Sequence, residues 1–162
     1  MPLHVPHQLL MVRPAVFGSN PETRNSNTFQ QLPDLSTTEI HGRALAEFDS
    51  MADLLKTNGI EVLVVEDTLV PEKPDAIFPN NWISLQPDGK LVTYPMLAPN
   101  RRLERRKDIV ALLERKFELA EVLDFSSFEA NGQYLEGTGS LIFDHVNKIA
   151  YAARSPRTDE QL

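Results

Sequence analysis

Two short stretches carry side chains suited to chemistry. In Pro74-Asp75-Ala76-Ile77-Phe78-Pro79-Asn80-Asn81-Trp82, one carboxylate and two carboxamides stand at the entrance to an apolar segment, Trp82-Ile83-Ser84-Leu85. Asp75 can accept from N–H donors, while Asn80 and Asn81 can donate or accept, an offer that fits a planar, nitrogen-rich group. Residues where a strand begins are held from behind and open in front, so a site built there keeps its geometry. Taken alone, these nine residues read more simply as turn formers, because Asp and Asn before a strand bond their own backbone. The second stretch, Tyr134-Leu135-Glu136-Gly137-Thr138-Gly139-Ser140-Leu141, shifts the balance. There an acid precedes two glycines, a composition that lets backbone approach a ligand closely.

A third feature is basic. Four arginines and a lysine crowd Arg101 to Lys107. Such a run is usually a solvated helix face. Cations at a helix start oppose the macrodipole by a few tenths of a kcal/mol each, however, which marks Arg101 or Arg102 as a candidate anion ligand. The histidines offer less: His145 falls in an expected exposed turn, and His4, His7 and His41 lack metal-ligand spacing.

Composition narrows the function classes. With no cysteine, the chain itself can supply no disulfide, thiolate metal site or cysteine nucleophile. A net charge of -7 and a pI near 5.1 argue against nucleic acid as a partner, since phosphate binding needs a basic face. No apolar run approaches membrane-spanning length, and the N-terminus lacks the basic start and apolar stretch of a secretory signal. A soluble, cytoplasmic protein without metal or cofactor is the expectation. At 162 residues the chain is long enough for one domain with a core.

The elements that must position these residues follow in order. A strand is expected over Gln8 to Val12, continued by Ala15-Val16-Phe17 after a bend. The polar stretch Gly18 to Pro33, with Asn20, Asn25, Asn27 and Thr28 around Phe29, is either a lid or binding loop or a plain surface meander. Ser36 and Glu39 form a capping box, and Ile40, Ala44, Phe48, Met51 and Leu55 make one face of the helix, closed by Asn58-Gly59. A strand over Glu61 to Val65 follows, then Trp82 to Leu85 and Lys90 to Tyr94 paired as a hairpin through Pro87-Asp88-Gly89. A second helix is expected after Pro99, capped by Asn100, with Leu103, Val110, Leu113 and Phe117 as its apolar face and Ile109 and Leu112 alongside. A strand over Ala120 to Leu123 precedes a hairpin of Ser140 to Phe143 with Lys148 to Ala152.

Two antiparallel strands, a helix and a third strand thus occur once in full, at about Trp82 to Leu123, with partial copies on either side, which suggests modules about an axis. Ser155-Pro156, with Asp159 and Glu160 in the first turn, reads as a helix start just before the last residue. The expectation is the N-terminal part of a longer protein, truncated or completed by a separate chain. A half-finished assembly of this kind would expose sheet edges and apolar surface and would self-associate.

Phe-Pro-Asn-Asn-Trp after Pro-Asp, the Leu-Glu-Gly-Thr-Gly-Ser run, the Ala-Pro-Asn-Arg-Arg helix start and the Ser-Pro-Arg-Thr near the end together resemble the amidinotransferase and arginine deiminase superfamily of guanidine-modifying enzymes. The branch it looks most like is that of bacterial amidinotransferase-related proteins, the citrulline-utilisation hydrolases, with dimethylarginine dimethylaminohydrolase a cousin. The resemblance runs from Val12 to Thr158 and implies a pentein-type α/β propeller of five ββαβ modules, of which this chain would hold about half. It implies covalent catalysis by a cysteine thiolate with a histidine acid and base, both lying outside these residues. It also implies roles here: Glu136 as the catalytic acid, Asp75 gripping guanidino nitrogens, and Asn81 and Asn80 where arginine-using relatives carry acids, with Phe78 beside them in the substrate site. Arg157, with Arg101 or Arg102, would bind the α-carboxylate of an amino-acid substrate.

The family's acid is normally followed by two glycines, whereas here the run is Gly137-Thr138-Gly139. The amides matter more: a cationic guanidinium rewards carboxylates, while a neutral ureido oxygen needs a donor that Asn can supply. The implied enzyme hydrolyses C–N bonds other than peptide bonds, in citrulline or arginine derivatives, and this chain alone would be inactive. A non-catalytic ligand-binding or assembly module of the same fold is the alternative.

Overall fold

The computed structural model describes residues 6–24, 27 and 34–162, in two compact units. Residues 1–5, 25, 26 and 28–33, among them His4, Asn25, Thr28, Phe29 and Pro33, lie outside the described residues, so much of the expected lid or meander does too. Among the described residues, no helix is long and apolar enough to cross a membrane.

The first unit, Met1–Asn20 with Gln30–Pro79, is a βαβ arrangement. Strand β1 (Gln8–Arg13) lies parallel to β2 (Glu61–Glu66), with Gln8 opposite Glu61 and Arg13 opposite Glu66. Ala15 to Phe17 does not extend β1: it forms a bend, as expected of a chain that has just passed Pro14 and lost a ladder donor. A parallel pair needs a long crossover, and here it is α1 (Thr37–Thr57). Its capping box is formed as expected: Glu39 N donates to Ser36 Oγ at 3.3 Å and Ser36 N to Glu39 Oε2 at 3.0 Å. Ala44, Phe48 and Ala52 are its buried stripe, whereas Met51 is turned away and 55% exposed. Arg13 at the end of β1 forks onto Asp49 of α1, at 2.7 and 2.9 Å, which fastens helix to strand.

Beyond β2 the chain wraps around a buried ammonium. Lys73, 1% exposed, donates to Thr68 O at 3.0 Å, Thr68 Oγ1 at 2.9 Å and Pro71 O at 2.6 Å, and pairs with Asp67 at 3.2 Å. A buried cation is tolerable only when satisfied in this way. The segment leads directly into the turn that carries Asp75.

The second unit, Pro21–Phe29 with Asn80–Leu162, contains the full ββαβ module. Strand β3 (Ile83–Leu85) pairs antiparallel with β4 (Lys90–Thr93), and β4 pairs parallel with β5 (Glu121–Asp124), in the order β3-β4-β5. Gly89 in the hairpin turn has φ +81°, a conformation natural to glycine alone.

The single helix expected after Pro99 is two helices, α2 (Pro99–Arg102) and α3 (Lys107–Lys116). Residues 104–108 offer nothing apolar to bury, so no continuous stripe exists to hold a helix through them. Asn100 is not the cap; Ala98 occupies that position without a side-chain hydrogen bond. Ile109 and Leu113 of α3 are buried, but Leu103 is exposed.

The glycine stretch does not run straight into a strand. It first makes a one-turn helix, α4 (Gly137–Ser140), before β6 (Leu141–Asp144) and its antiparallel partner β7 (Ile149–Ala152). Leu141 joins Val92 and Tyr94 in a core flanked by Leu123, Leu135 and Phe143, while Ile142 and Tyr151 on the other face are exposed. Ser155-Pro156 starts no helix. Its backbone is used otherwise: Thr158 N donates to Ser155 O at 3.0 Å, Asp159 N to Tyr134 O at 2.7 Å, and Thr158 bridges to Leu135. Backbone pairing with residues 134–136 has outcompeted a short helix that would be marginal alone.

Candidate functional site

Glu136 is placed by backbone pairing on both sides. Leu135 N donates to Pro95 O at 3.1 Å and Glu136 N to Arg157 O at 3.2 Å, so the acid sits between the exit of β4 and the Ser155–Thr158 turn. Its side chain is 1% exposed. Oε1 accepts from Leu97 N at 3.2 Å, and Oε2 faces Arg101 Nη1 at 3.7 Å and Arg157 Nη1 at 3.6 Å.

Arg101 is equally buried, and Glu104 holds it in a fork: Nε donates to Oε1 at 2.9 Å and Nη2 to Oε2 at 3.0 Å. Two guanidinia are thus set against two carboxylates, a neutral cluster of the kind a low-dielectric interior tolerates. Arg102 and Arg105 are also engaged, contrary to the expectation of a solvated basic face. Arg102 donates to Met96 O at 3.0 Å and Leu97 O at 3.1 Å, with its guanidinium carbon 5.7 Å from the Tyr134 ring centre. Arg105 forks onto Glu129 at 2.6 and 2.9 Å, and Glu129 also accepts from Met96 N at 2.7 Å. The arginines staple the Met96–Leu97 backbone on which Glu136 leans.

The two carboxamides join the same cluster. Asn80 and Asn81 open the second unit's strand from a 3₁₀ turn, Pro79–Asn81. With its oxygen toward Arg101, the Asn81 amide accepts from Nη1 at 2.5 Å and Nη2 at 3.2 Å. The Asn80 amide stands 3.0 Å from that of Asn81 and 3.0 Å from Thr138 Oγ1, and Thr138 Oγ1 also donates to Asn80 O at 3.3 Å. The glycines of α4 serve this contact. A Cβ on Gly137 would stand 2.5 Å from Asn80 O and 3.0 Å from the Tyr94 ring, and one on Gly139 would stand 2.6 Å from the Asn81 carboxamide. Close backbone approach was expected from the sequence, and its object within this unit is the Asn pair. Burial pushes the Tyr94 phenol up, and although the Ser84 hydroxyl at 2.7 Å pulls the other way, the phenol stays above its ordinary range and neutral.

Asp75 and Phe78 lie in the first unit. Asp75 Oδ2 accepts from Asn20 Nδ2 at 2.7 Å, and Phe78 N donates to Asp75 O at 3.0 Å. Asn20 is almost fully buried and Phe78 is 45% exposed. Of the residues singled out from sequence, the structure therefore brings Glu136, Arg101, Arg157, Asn81 and Asn80 together in the second unit, with Arg102 on the backbone beside them. Sequence reasoning missed Glu104, Glu129 and Thr138. Glu104 had a signal, its i, i+3 spacing from Arg101; Glu129 had none, since its arginine is 24 residues away.

The fold so described has counterparts among solved structures. The chain is similar to a dimethylarginine dimethylaminohydrolase solved as an adduct with S-methyl-L-thiocitrulline, with 18% identity and a TM-score of 0.67 over 95% of this chain and 52% of that one. It is similar to the enzyme of that name from Pseudomonas aeruginosa complexed with citrulline, at 18% identity, TM-score 0.67 and the same coverages. It is also similar to ArgZ, an arginine dihydrolase of cyanobacteria, at 16% identity and TM-score 0.68, covering 95% of this chain and 21% of that one. The chain therefore spans about half the length of the dimethylarginine enzymes. At these identities the likeness is one of fold, that of the mixed α/β pentein enzymes. No curated protein matches the chain in sequence. Residues 13–162 do match a family, described as N,N dimethylarginine dimethylhydrolase, eukaryotic. The chain belongs to that family, within the amidinotransferase superfamily that its motifs resemble.

Proposed function

We propose that this chain is the N-terminal part of a hydrolase that cleaves C–N bonds of guanidino or ureido amino acids, contributing Glu136 as the acid of its site. The observation that supports this most directly is a fully buried carboxylate held between two guanidinia and one backbone N–H. A carboxylate so constrained keeps one position, as an acid that must orient a partner or a substrate nitrogen requires. Asn80 and Asn81 serve as substrate contacts in this reading. Arg157 and Arg102, less buried than Arg101, are the arginines for the α-carboxylate, because Glu104 already occupies two nitrogens of Arg101.

The chain holds no thiol, so the nucleophilic cysteine and its histidine would come from sequence outside these residues. The alternative, a ligand-binding module without catalysis, draws on the same fact. Assaying ammonia, amine and citrulline release from arginine, dimethylarginine and citrulline separates them. The 162-residue chain should show no turnover. The longest protein encoded by its gene should turn over, and Glu136→Gln should lower that rate at least a hundredfold. An unchanged rate in the variant contradicts the role given to Glu136; no turnover by the longest product favours the binding module.

A further inference from the structure

Past Thr93 the chain leaves β4 and continues as a strap, residues 94–97, whose backbone polar groups are each met by a partner. Tyr94 N donates to Trp82 O at 2.9 Å and Leu135 N to Pro95 O at 3.1 Å. Arg105 Nη1 donates to Tyr94 O at 3.3 Å, Arg102 Nε to Met96 O at 3.0 Å and Arg102 Nη2 to Leu97 O at 3.1 Å. The two remaining N–H groups are successive, and they go to different carboxylates: Met96 N to Glu129 Oε1 at 2.7 Å and Leu97 N to Glu136 Oε1 at 3.2 Å. A residue has only two soft backbone torsions, so tying the peptides on both sides of Met96 fixes the direction in which Leu97 N–H points. Glu129 reaches the strap from a 3₁₀ turn, Ser126–Asn131, that Gly132 closes at φ +71°.

We propose that Glu129 is a positioning residue for Glu136: by accepting from Met96 N it holds the strap so that Leu97 N–H points at the Glu136 carboxylate and keeps that carboxylate in place. The inference rests on the functional reading above, which makes Glu136 the acid of the site. Met96 is wholly buried, so without Glu129 its N–H has no water to turn to, and an unmet buried donor swings its peptide toward another acceptor. The adjoining peptide turns with it and carries Leu97 N–H off Glu136. At Met96 the task asks only for an acceptor, which a carboxamide also has, whereas the fork that Glu129 makes with Arg105 asks for charge. Substitution at one position therefore separates the two roles.

The test uses the longest protein encoded by the gene and reads kcat and KM for citrulline, arginine and dimethylarginine, the magnetic resonance signals of the Leu97 amide proton and the Glu136 carboxyl carbon, and the urea midpoint. Glu129→Gln keeps an oxygen for Met96 N and gives up the charge; Glu129→Met, of similar length, gives up both. Glu129→Gln should lower the urea midpoint yet hold both signals in place and keep kcat within about threefold of the wild type. Glu129→Met should move both signals and lower kcat about tenfold or more, with KM changed by less than about twofold. Should Glu129→Met alone fail to fold, the same contrast is read with Arg105→Met added to both variants, which removes the guanidinium that Glu129 forks onto. Equal kcat in the Gln and Met variants overturns the inference, since a counter-charge role would slow both alike. Signals unmoved in Glu129→Met overturn it too, and spare the functional reading if Glu136→Gln is inactive. Signals moved in Glu129→Met, in a protein whose wild type turns over none of the three substrates, uphold the positioning of Glu136 and overturn the functional reading.

Discussion

Gly139 lies against Asn81 so closely that a Cβ on the glycine would stand 2.6 Å from the carboxamide. That amide is buried and already bonded to Arg101, so it has no room to give. Gly139→Ala should cost about 1–3 kcal/mol, the usual range for overpacking. Gly42→Ala is the control: Gly42 sits within α1, and an added methyl there would meet nothing within 4 Å beyond the helix's own backbone, so Ala should stabilise by about 0.5–1 kcal/mol. Urea denaturation of both variants checks the opposite signs.

Glu104 is the counter-charge of a buried arginine. Glu104→Ala takes away the carboxylate to which Arg101 donates at 2.9 and 3.0 Å, and breaking such a pair on one side costs about 3–5 kcal/mol. Denaturation midpoints should show it; a loss under about 1 kcal/mol, the value of a surface pair, would mean that the cluster is far better hydrated than its burial indicates.

Lys73 should matter as much in the first unit. Lys73→Met removes the ammonium that binds Thr68, Pro71 and Asp67. The 67–73 segment should then be cut by protease much faster than in the wild type, whereas equal cleavage rates would show that the ammonium does not order it.

Asp124 gives a pH dependence. Burial alone would raise its pKa, but the Ser126 N–H at 2.9 Å and the Thr93 hydroxyl at 2.7 Å, with Arg105 nearby, outweigh it and hold the carboxyl below its usual value. A depressed folded pKa stabilises above the unfolded value of about 3.9 and that contribution disappears as pH falls through the folded value. Asp124→Asn should therefore be less stable than the wild type at neutral pH, with the difference closing in acid. Parallel stability curves from pH 7 to pH 2 would contradict this.

Local signals made much of this fold legible. The capping box at Ser36 and Glu39, the positive-φ glycine after Asn58, and the hairpin at Pro87-Asp88-Gly89 are decided by neighbours a few residues apart, and each formed as the sequence suggests. Features set by distant partners were not legible. Arg101 and Arg105 are turned inward by Glu136 and Glu129, 35 and 24 residues on, and the Ser155 turn follows from pairing with Tyr134 and Leu135. The site shows the same division. Glu136 and the Asn pair stood out by type and setting, but that Gly139 serves Asn81 and that Glu104 occupies Arg101 depends on contacts 58 and 3 residues apart, only the second of which a helical spacing hints at.

If Glu136 and Arg157 form part of a site for a ureido or guanidino amino acid, as proposed, such a ligand must perturb both. The most direct measurement follows the Glu136 carboxyl carbon and the Arg157 Nε together while L-citrulline is added to the labelled longest protein encoded by the gene. Both signals should shift and saturate with one dissociation constant. Shifts confined to other residues, with Glu136 and Arg157 unmoved at saturation, would contradict it.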